Sequence, residues 1–285
     1  MSAHAVRPRD RAVPAARTLP PVRFRDLLAA EWIKMRSLRS TFWSFAFVTL
    51  FVIGSAALAA IGDYRNFPHY SAQMQREHGF ALSDAFPSAG YLGLMLFAAS
   101  MGAIVIVSEY GSGLIRTTTA AVPARGSVVL AKAVVVAAVW TVVGAALAAG
   151  AFVVSQAILD GRHAGVPITH PGALRGLVAC TLLGPVCALI GLGLGVLIRH
   201  SATTIVTGAF TILMLPTFFS QGRRWSADVN HLMVYPAWWR LTIVLGPVAP
   251  GDFQFASVAE SWIVYAAWPA VAIVVAVLAV RRRDV

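Results

Sequence analysis

Lysine is nearly missing from this chain. Only Lys34 and Lys132 occur among its 285 residues, and every other strong base is arginine. Charge as a whole is scarce. Only 12% of residues are charged and 58% are hydrophobic, whereas a soluble domain is about a quarter charged. Cysteine is rare as well. Cys180 and Cys187 are the whole supply, and seven residues on one helix put them on the same face but roughly 10 Å apart along the axis, too far for a disulfide. They read as small apolar packing residues.

Catalytic and nucleotide motifs are missing too. No H-E-x-x-H zinc pattern and no G-x-S-x-G nucleophile elbow occur. A phosphate-binding P-loop needs glycine directly before its lysine, and the two lysines follow Ile33 and Ala131, so no ATP is held that way. The chain reads as a non-enzyme with no catalytic, cofactor or metal residues of its own. His69, His78, His163, His170 and His231 lack helical ligand spacing and read as loop histidines.

What is present is apolar length. Six runs of about 20 residues or more suit helices crossing a bilayer core, at Thr41–Ile61, Ser88–Val107, Val128–Leu159, Leu174–Ile198, Thr203–Phe219 and Ser261–Val280. The third exceeds one crossing, so it tilts or projects. The expected organisation is a disordered basic tail over 1–20, an amphipathic interfacial helix over 21–40, and a six-helix transmembrane domain over 41–285. Ala57-Leu58-Ala59 looks like a signal-peptidase site, but the apolar run before it is too long for a signal peptide. Small residues Gly144 and Ala148, and Gly184, Ala188 and Gly191-Leu192-Gly193-Leu194-Gly195, read as faces that let another helix approach closely.

Charge asymmetry gives the orientation. With the N-terminus in the cytoplasm, sixteen of the 23 Lys and Arg fall inside, and the whole net charge of +11 sits on the inner face. Both termini are then cytoplasmic. That charge orients the chain and meets anionic lipid, so no nucleic-acid partner is inferred. Within these span boundaries no Asp or Glu appears, Asp84 and Asp160 lying just outside, and Lys132 and Arg175 fall only at span ends. Proton- or ion-coupled transport needs intramembrane relays, which this reading does not supply.

Two cytoplasmic stretches stand out. In residues 22–40, Phe24, Leu27, Leu28, Trp32, Met35 and Leu38 gather on one helical face, as an amphipathic helix in the interface requires. Glu31 lies in the middle of that face, where a carboxylate is costly unless paired or facing protein; Lys34, one turn on, could neutralise it. The second stretch is SEYGSGLIRTTTAAVPARG, residues 108–126. The second span can run on to Glu109 and Tyr110, and Gly111-Ser112-Gly113 breaks it. Leu114 to Ala121 suit a short helix that Pro123 ends. That helix would be a docking knob; a solvated connecting loop fits the same residues.

The order Glu31-Trp32-x-Lys34, then Glu109-Tyr110-x-x-Gly113-x-x-Arg116, then Pro123-x-Arg125 and Lys132, with the Arg282-Arg283-Asp284 ending, resembles the permease subunits of ABC-2 type transporters. The likeness covers nearly the whole chain in span number, topology and loop placement. It implies an all-α exporter fold in which Glu31, Trp32 and Lys34 belong to an elbow helix. It further implies that Glu109, Tyr110, Gly113, Leu114, Ile115, Arg116, Thr118, Pro123 and Arg125 form the coupling contact with a separate ABC ATPase. ATP and Mg would be bound on that subunit, with none on this chain. The implied permease works as a homodimer or heterodimer with a second permease, embedded in the lipid bilayer of the bacterial cell membrane. Gly111-Ser112 departs from the family pattern, where a charged residue is common. Spans without buried charge point to apolar or amphipathic cargo. The alternative reading is a non-transporting membrane anchor or sensor of a partner complex.

The segment 220–260 holds HLMVYPAWWRLTIVLG, which is broken by Pro236 and bounded by Pro247 and Pro250. It is too interrupted for a seventh span. Trp238 and Trp239 suit an interfacial position, and the resemblance implies a re-entrant or outer-surface helix here.

Overall fold

The computed structural model describes residues 23–37, 39–114, 125–219, 221–244 and 253–282. Eleven α-helices occur among them: α1 Phe24–Ser37, α2 Arg39–Asn66, α3 Ala72–Glu77, α4 Phe80–Ala85, α5 Ser88–Gly111, α6 Arg125–Asp160, α7 Ala173–Ile198, α8 Ser201–Ala209, α9 Arg224–His231, α10 Val234–Thr242 and α11 Val258–Arg282. Six stretches are long and apolar enough to cross a membrane: Thr41–His69, Phe80–Gly111, Arg125–Asp160, Ala173–Ile198, Ser201–Phe218 and Val258–Arg282. They match the six expected runs. The chain is an all-helical, multi-pass membrane protein.

Helix α7 is the axis of the bundle. Of its most apolar window 72% is buried inside the protein, against 22% for α11. It packs on α5, α6, α8, α10 and α11. Glycine makes this possible. A Cβ on Gly102 of α5 would stand 1.9 Å from the carbonyl oxygen of Ala188, and one on Gly191 of α7 would stand 1.9 Å from that of Ala99. Backbone therefore rests directly on backbone, as small-residue faces in membranes allow. The other small faces find partners too, Gly144 against Thr181 and Gly193 against Ala272.

Helix α6, with 36 residues, is about 54 Å long at 1.5 Å per residue, well beyond a core of about 30 Å. Its excess is used at both ends, where α1 and α4 pack against it. The fifth run is irregular: α8 widens into a π turn over Phe210–Met214 and tightens to 3-10 over Leu215–Phe218. Pro216 explains this, since its ring and missing N–H cannot continue an α ladder.

The bundle has two unlike ends. At one, α1, the C-terminus of α5 and the N-terminus of α6 meet; Arg199, just past α7, places its guanidinium 4.9 Å from the Tyr110 ring centre. Gly126 abuts Arg281 of α11 so closely that a Cβ there would lie 3.0 Å from Nε. These are the segments that the charge count groups on one side. At the opposite end Arg162 lies over Tyr64 at 4.7 Å and Gln156 donates to the Ala81 carbonyl at 2.9 Å.

Helix α10 sits at that opposite end. Nine residues long, it is far too short to span, in agreement with the broken sequence. Trp238 corrects the interfacial expectation. It is fully buried, stacked on Tyr91 at 5.4 Å and Tyr235 at 5.9 Å, and donates its indole N–H to Cys180 Sγ at 3.4 Å. A buried indole needs a polar partner, and the thiol supplies one. Trp239 is half-buried against Phe255.

Candidate functional site

Helix α1 buries one residue, and that residue is a carboxylate. Glu31 is 6% exposed, while Phe24, Trp32 and Ile33 of the same helix remain exposed. The interior that receives it is ionic. Lys34 Nζ donates to Glu31 Oε1 at 2.7 Å and to Glu109 Oε1 at 2.9 Å. Lys132 Nζ donates to Glu109 Oε1 at 2.9 Å and to Glu31 Oε2. Both lysines of the chain and two of its four glutamates thus form one neutral cluster, joining α1, the last turn of α5 and the second turn of α6.

Each helix has a local reason to present its charge there. Helix α5 carries Glu109 in its last turn and stops at Gly111. Ser112 caps it through an N–H to the Ser108 carbonyl, and Gly113 turns the chain at φ +72°. That left-handed residue after a helix end is the usual place for glycine. Lys132 lies about two turns inside α6, only 2% exposed. No isolated ammonium survives there, but two carboxylates at bonding distance compensate it.

Lys34 is the exposed member, with 36% of its side chain accessible. Burial pulls its ammonium down, but hydrogen bonds and charge from Glu31 and Glu109 outweigh that, and its pKa stands above the ordinary lysine value. Lys34 is therefore charged at neutral pH. Such a network adds little net stability over apolar packing, yet removing one partner strands a buried charge.

A cavity of about 540 Å3 opens beside the cluster, between α1, α2, α5 and α6. Glu31, Lys34, Glu109 and Lys132 form its polar end, while Phe45, Met101, Val136 and Trp140 are among its apolar walls.

The expected site residues fall as follows. Glu31, Lys34 and Glu109 are in the cluster. Trp32 is 46% exposed, with the Arg36 guanidinium 6.0 Å from its ring. Tyr110 lies under Arg199, Gly113 makes the helix stop, and Leu114 lines the cavity. Arg125 is the first residue of α6 and half-buried. Ile115, Arg116, Thr118 and Pro123 lie outside the described residues, as does most of the short helix expected over 114–121.

Two residues were missed as site candidates. Lys132 reads in sequence as the cation of a span end and as one position of the family pattern, and neither reading places it in a site. Asp84 is buried, and among the described residues its Oδ2 has no hydrogen-bond partner. Like Glu109 and Asp160, Asp84 lies outside the expected span boundaries, which hold no carboxylate. The apolar stretches extend over Phe80–Gly111 and Arg125–Asp160, taking in Asp84, Glu109, Lys132 and Asp160. The helices run several residues beyond the apolar core, and that margin is where the charges sit. Cys180 and Cys187 are free thiols, both buried.

No family model matches the chain, and no curated protein matches it.

Proposed function

We propose that this chain is the membrane-spanning subunit of an ABC-2 type exporter, moving an apolar or amphipathic substrate across a bacterial cell membrane with ATP hydrolysed on a separate subunit. The observation that carries this reading is the cluster itself. Glu31, Lys34, Glu109 and Lys132 are four of the positions on which the family likeness rests, and they are scattered over 101 residues of sequence. In space they are one unit.

The arrangement supplies a means of coupling. Glu109 and Lys132 bracket the segment 112–125, and both are tied to α1. A partner that moves this segment displaces the ends of α5 and α6 together and carries α1 with them, because breaking the network would strand buried charge. Motion of packed helices as rigid bodies is the common form of such switching. By the positive-inside rule the charged end faces the cytoplasm, where an ATPase resides. A second permease would cover apolar surface such as Phe47 and Leu50 of α2, which are 63% and 75% exposed.

The test is co-purification with an ATP-binding subunit, followed by ATP-driven uptake into inverted vesicles. An Ile115→Asp/Thr118→Asp variant should insert normally, lose the ATPase and stop transport, since unpaired charge at a protein interface costs several kcal/mol. A variant that binds and transports like the parent would sink the coupling assignment. A parent that recruits its partner but moves no cargo would favour an anchor or sensor.

A further inference from the structure

The cavity beside the ion cluster is not accounted for by docking of an ATPase. Its volume of about 540 Å3 lies inside the range of small-molecule sites. The body is apolar, walled by Phe45, Met101, Val105, Val136 and Trp140. One end is ionic, and its valences are not all used. An ammonium has three N–H donors, and among the described residues Lys34 Nζ spends two, on Glu31 and Glu109. Both bonds that Glu109 accepts fall on Oε1; among the described residues no hydrogen bond reaches its Oε2.

A spare cationic donor and a spare anionic acceptor therefore stand within one ion-pair distance of each other, at the head of an apolar slot. The cluster is neutral, so a ligand of net charge would leave one charge unmatched in a poorly solvated place. A ligand with both signs matches both. The rim is open, since Ser108 and Ile104 line the cavity and are themselves exposed.

We propose that this cavity binds one amphiphile with a zwitterionic head and a single alkyl or acyl chain, its anionic oxygen on Lys34, its ammonium on Glu109 and its chain between α2, α5 and α6. The site belongs to this chain alone and stands whether or not an ATPase docks nearby.

The experiment uses the full chain in nanodiscs and a lysophospholipid with a phosphoethanolamine head and a mid-chain diazirine. After photolysis, adducts should concentrate on the peptides holding Met101 to Val105 and Val135 to Trp140. Labelling should saturate and yield to unlabelled phosphoethanolamine lysolipid. A net-anionic lysophosphatidylglycerol should compete at least tenfold more weakly. Ser108→Trp, at the exposed rim, should cut labelling at least fivefold without unfolding the protein, whereas Leu58→Trp on the exposed face of α2 should not. Unsaturable adducts spread over Leu50 and Leu58, or full labelling of Ser108→Trp, would show annular lipid only and overturn the site. Equal competition by the anionic lipid would overturn the zwitterionic assignment. Glu109→Gln tests the head directly, and an unchanged preference between the two competitors would contradict the proposed ammonium contact.

Discussion

Helices α1 and α10 lie at opposite ends of one bundle; α1 buries the single residue Glu31, whereas α10 buries several, Trp238 the largest. The contacts are of different kinds. Helix α1 inserts a carboxylate, Glu31, into a network of opposite charges drawn from two other helices. Helix α10 inserts an indole, Trp238, among aromatic rings and a thiol, and Arg175 of α7 caps its C-terminus by donating to the Leu241 and Ile243 carbonyls at 2.9 and 2.6 Å. An aromatic anchor gains by excluding water and by dispersion, and it tolerates no gap. An ionic anchor gains little in net terms but fails abruptly when one partner is lost. The first kind suits a fixed plug, the second an attachment that must transmit displacement or respond to a ligand.

The largest effect should come from Lys132→Met. It leaves Glu31 and Glu109 buried with only the half-exposed Lys34, and breaking a buried pair in this way costs about 3–5 kcal/mol. Thermal unfolding of the purified protein would register it. Adding Glu109→Gln should recover most of the loss, because Glu31 and Lys34 then remain as a matched pair. A double variant as unstable as Lys132→Met would mean that shape and not charge holds α1.

Arg175→Met should come next. It removes two charged donors from carbonyls at the end of α10, worth about 1.5–3 kcal/mol, and no neutralising second substitution exists to recover the loss. The same unfolding measurement checks it, and recovery by a charge change elsewhere would erase the contrast between the two ends.

The smallest effect is a pH dependence at Lys34. Its pKa is raised above the ordinary 10.5, so its contribution is complete below that value and is lost as pH rises through the raised one. With 36% of the side chain exposed, the contribution should stay under about 1 kcal/mol. The difference in unfolding temperature between the parent and Lys34→Met should hold constant from pH 6 to about pH 9 and shrink only in strong alkali. A difference that vanishes near neutrality would contradict the direction of the shift.

Much of this architecture is written locally. The six apolar runs, the stop at Gly113, the short unspanning helix around Pro236 and the grouping of positive segments at one end all follow from composition and spacing over a few turns. Glu31 is legible as an anomaly, because an apolar helical face with one carboxylate demands a partner. Lys34 is a legible candidate, being one turn away.

The rest depends on which helices meet. Trp238 reads as interfacial because tryptophan favours that zone, and only the packing of α10 against α5 and α7 turns it inward. The small-residue faces of α5, α6 and α7 announce close approach without saying to whom. Lys132 looks like the basic end of a span until α6 is found to run past the apolar core and carry it into the bundle. The sequence by itself determined the number and extent of the spans, the sidedness of charge and the need of Glu31 for compensation, since hydrophobic transfer and helix geometry act residue by residue. Only the tertiary structure decided that the compensation comes from Lys132, 101 residues away, and that a cavity opens beside it, because pairing between distant segments depends on how backbones pack, which no local period records.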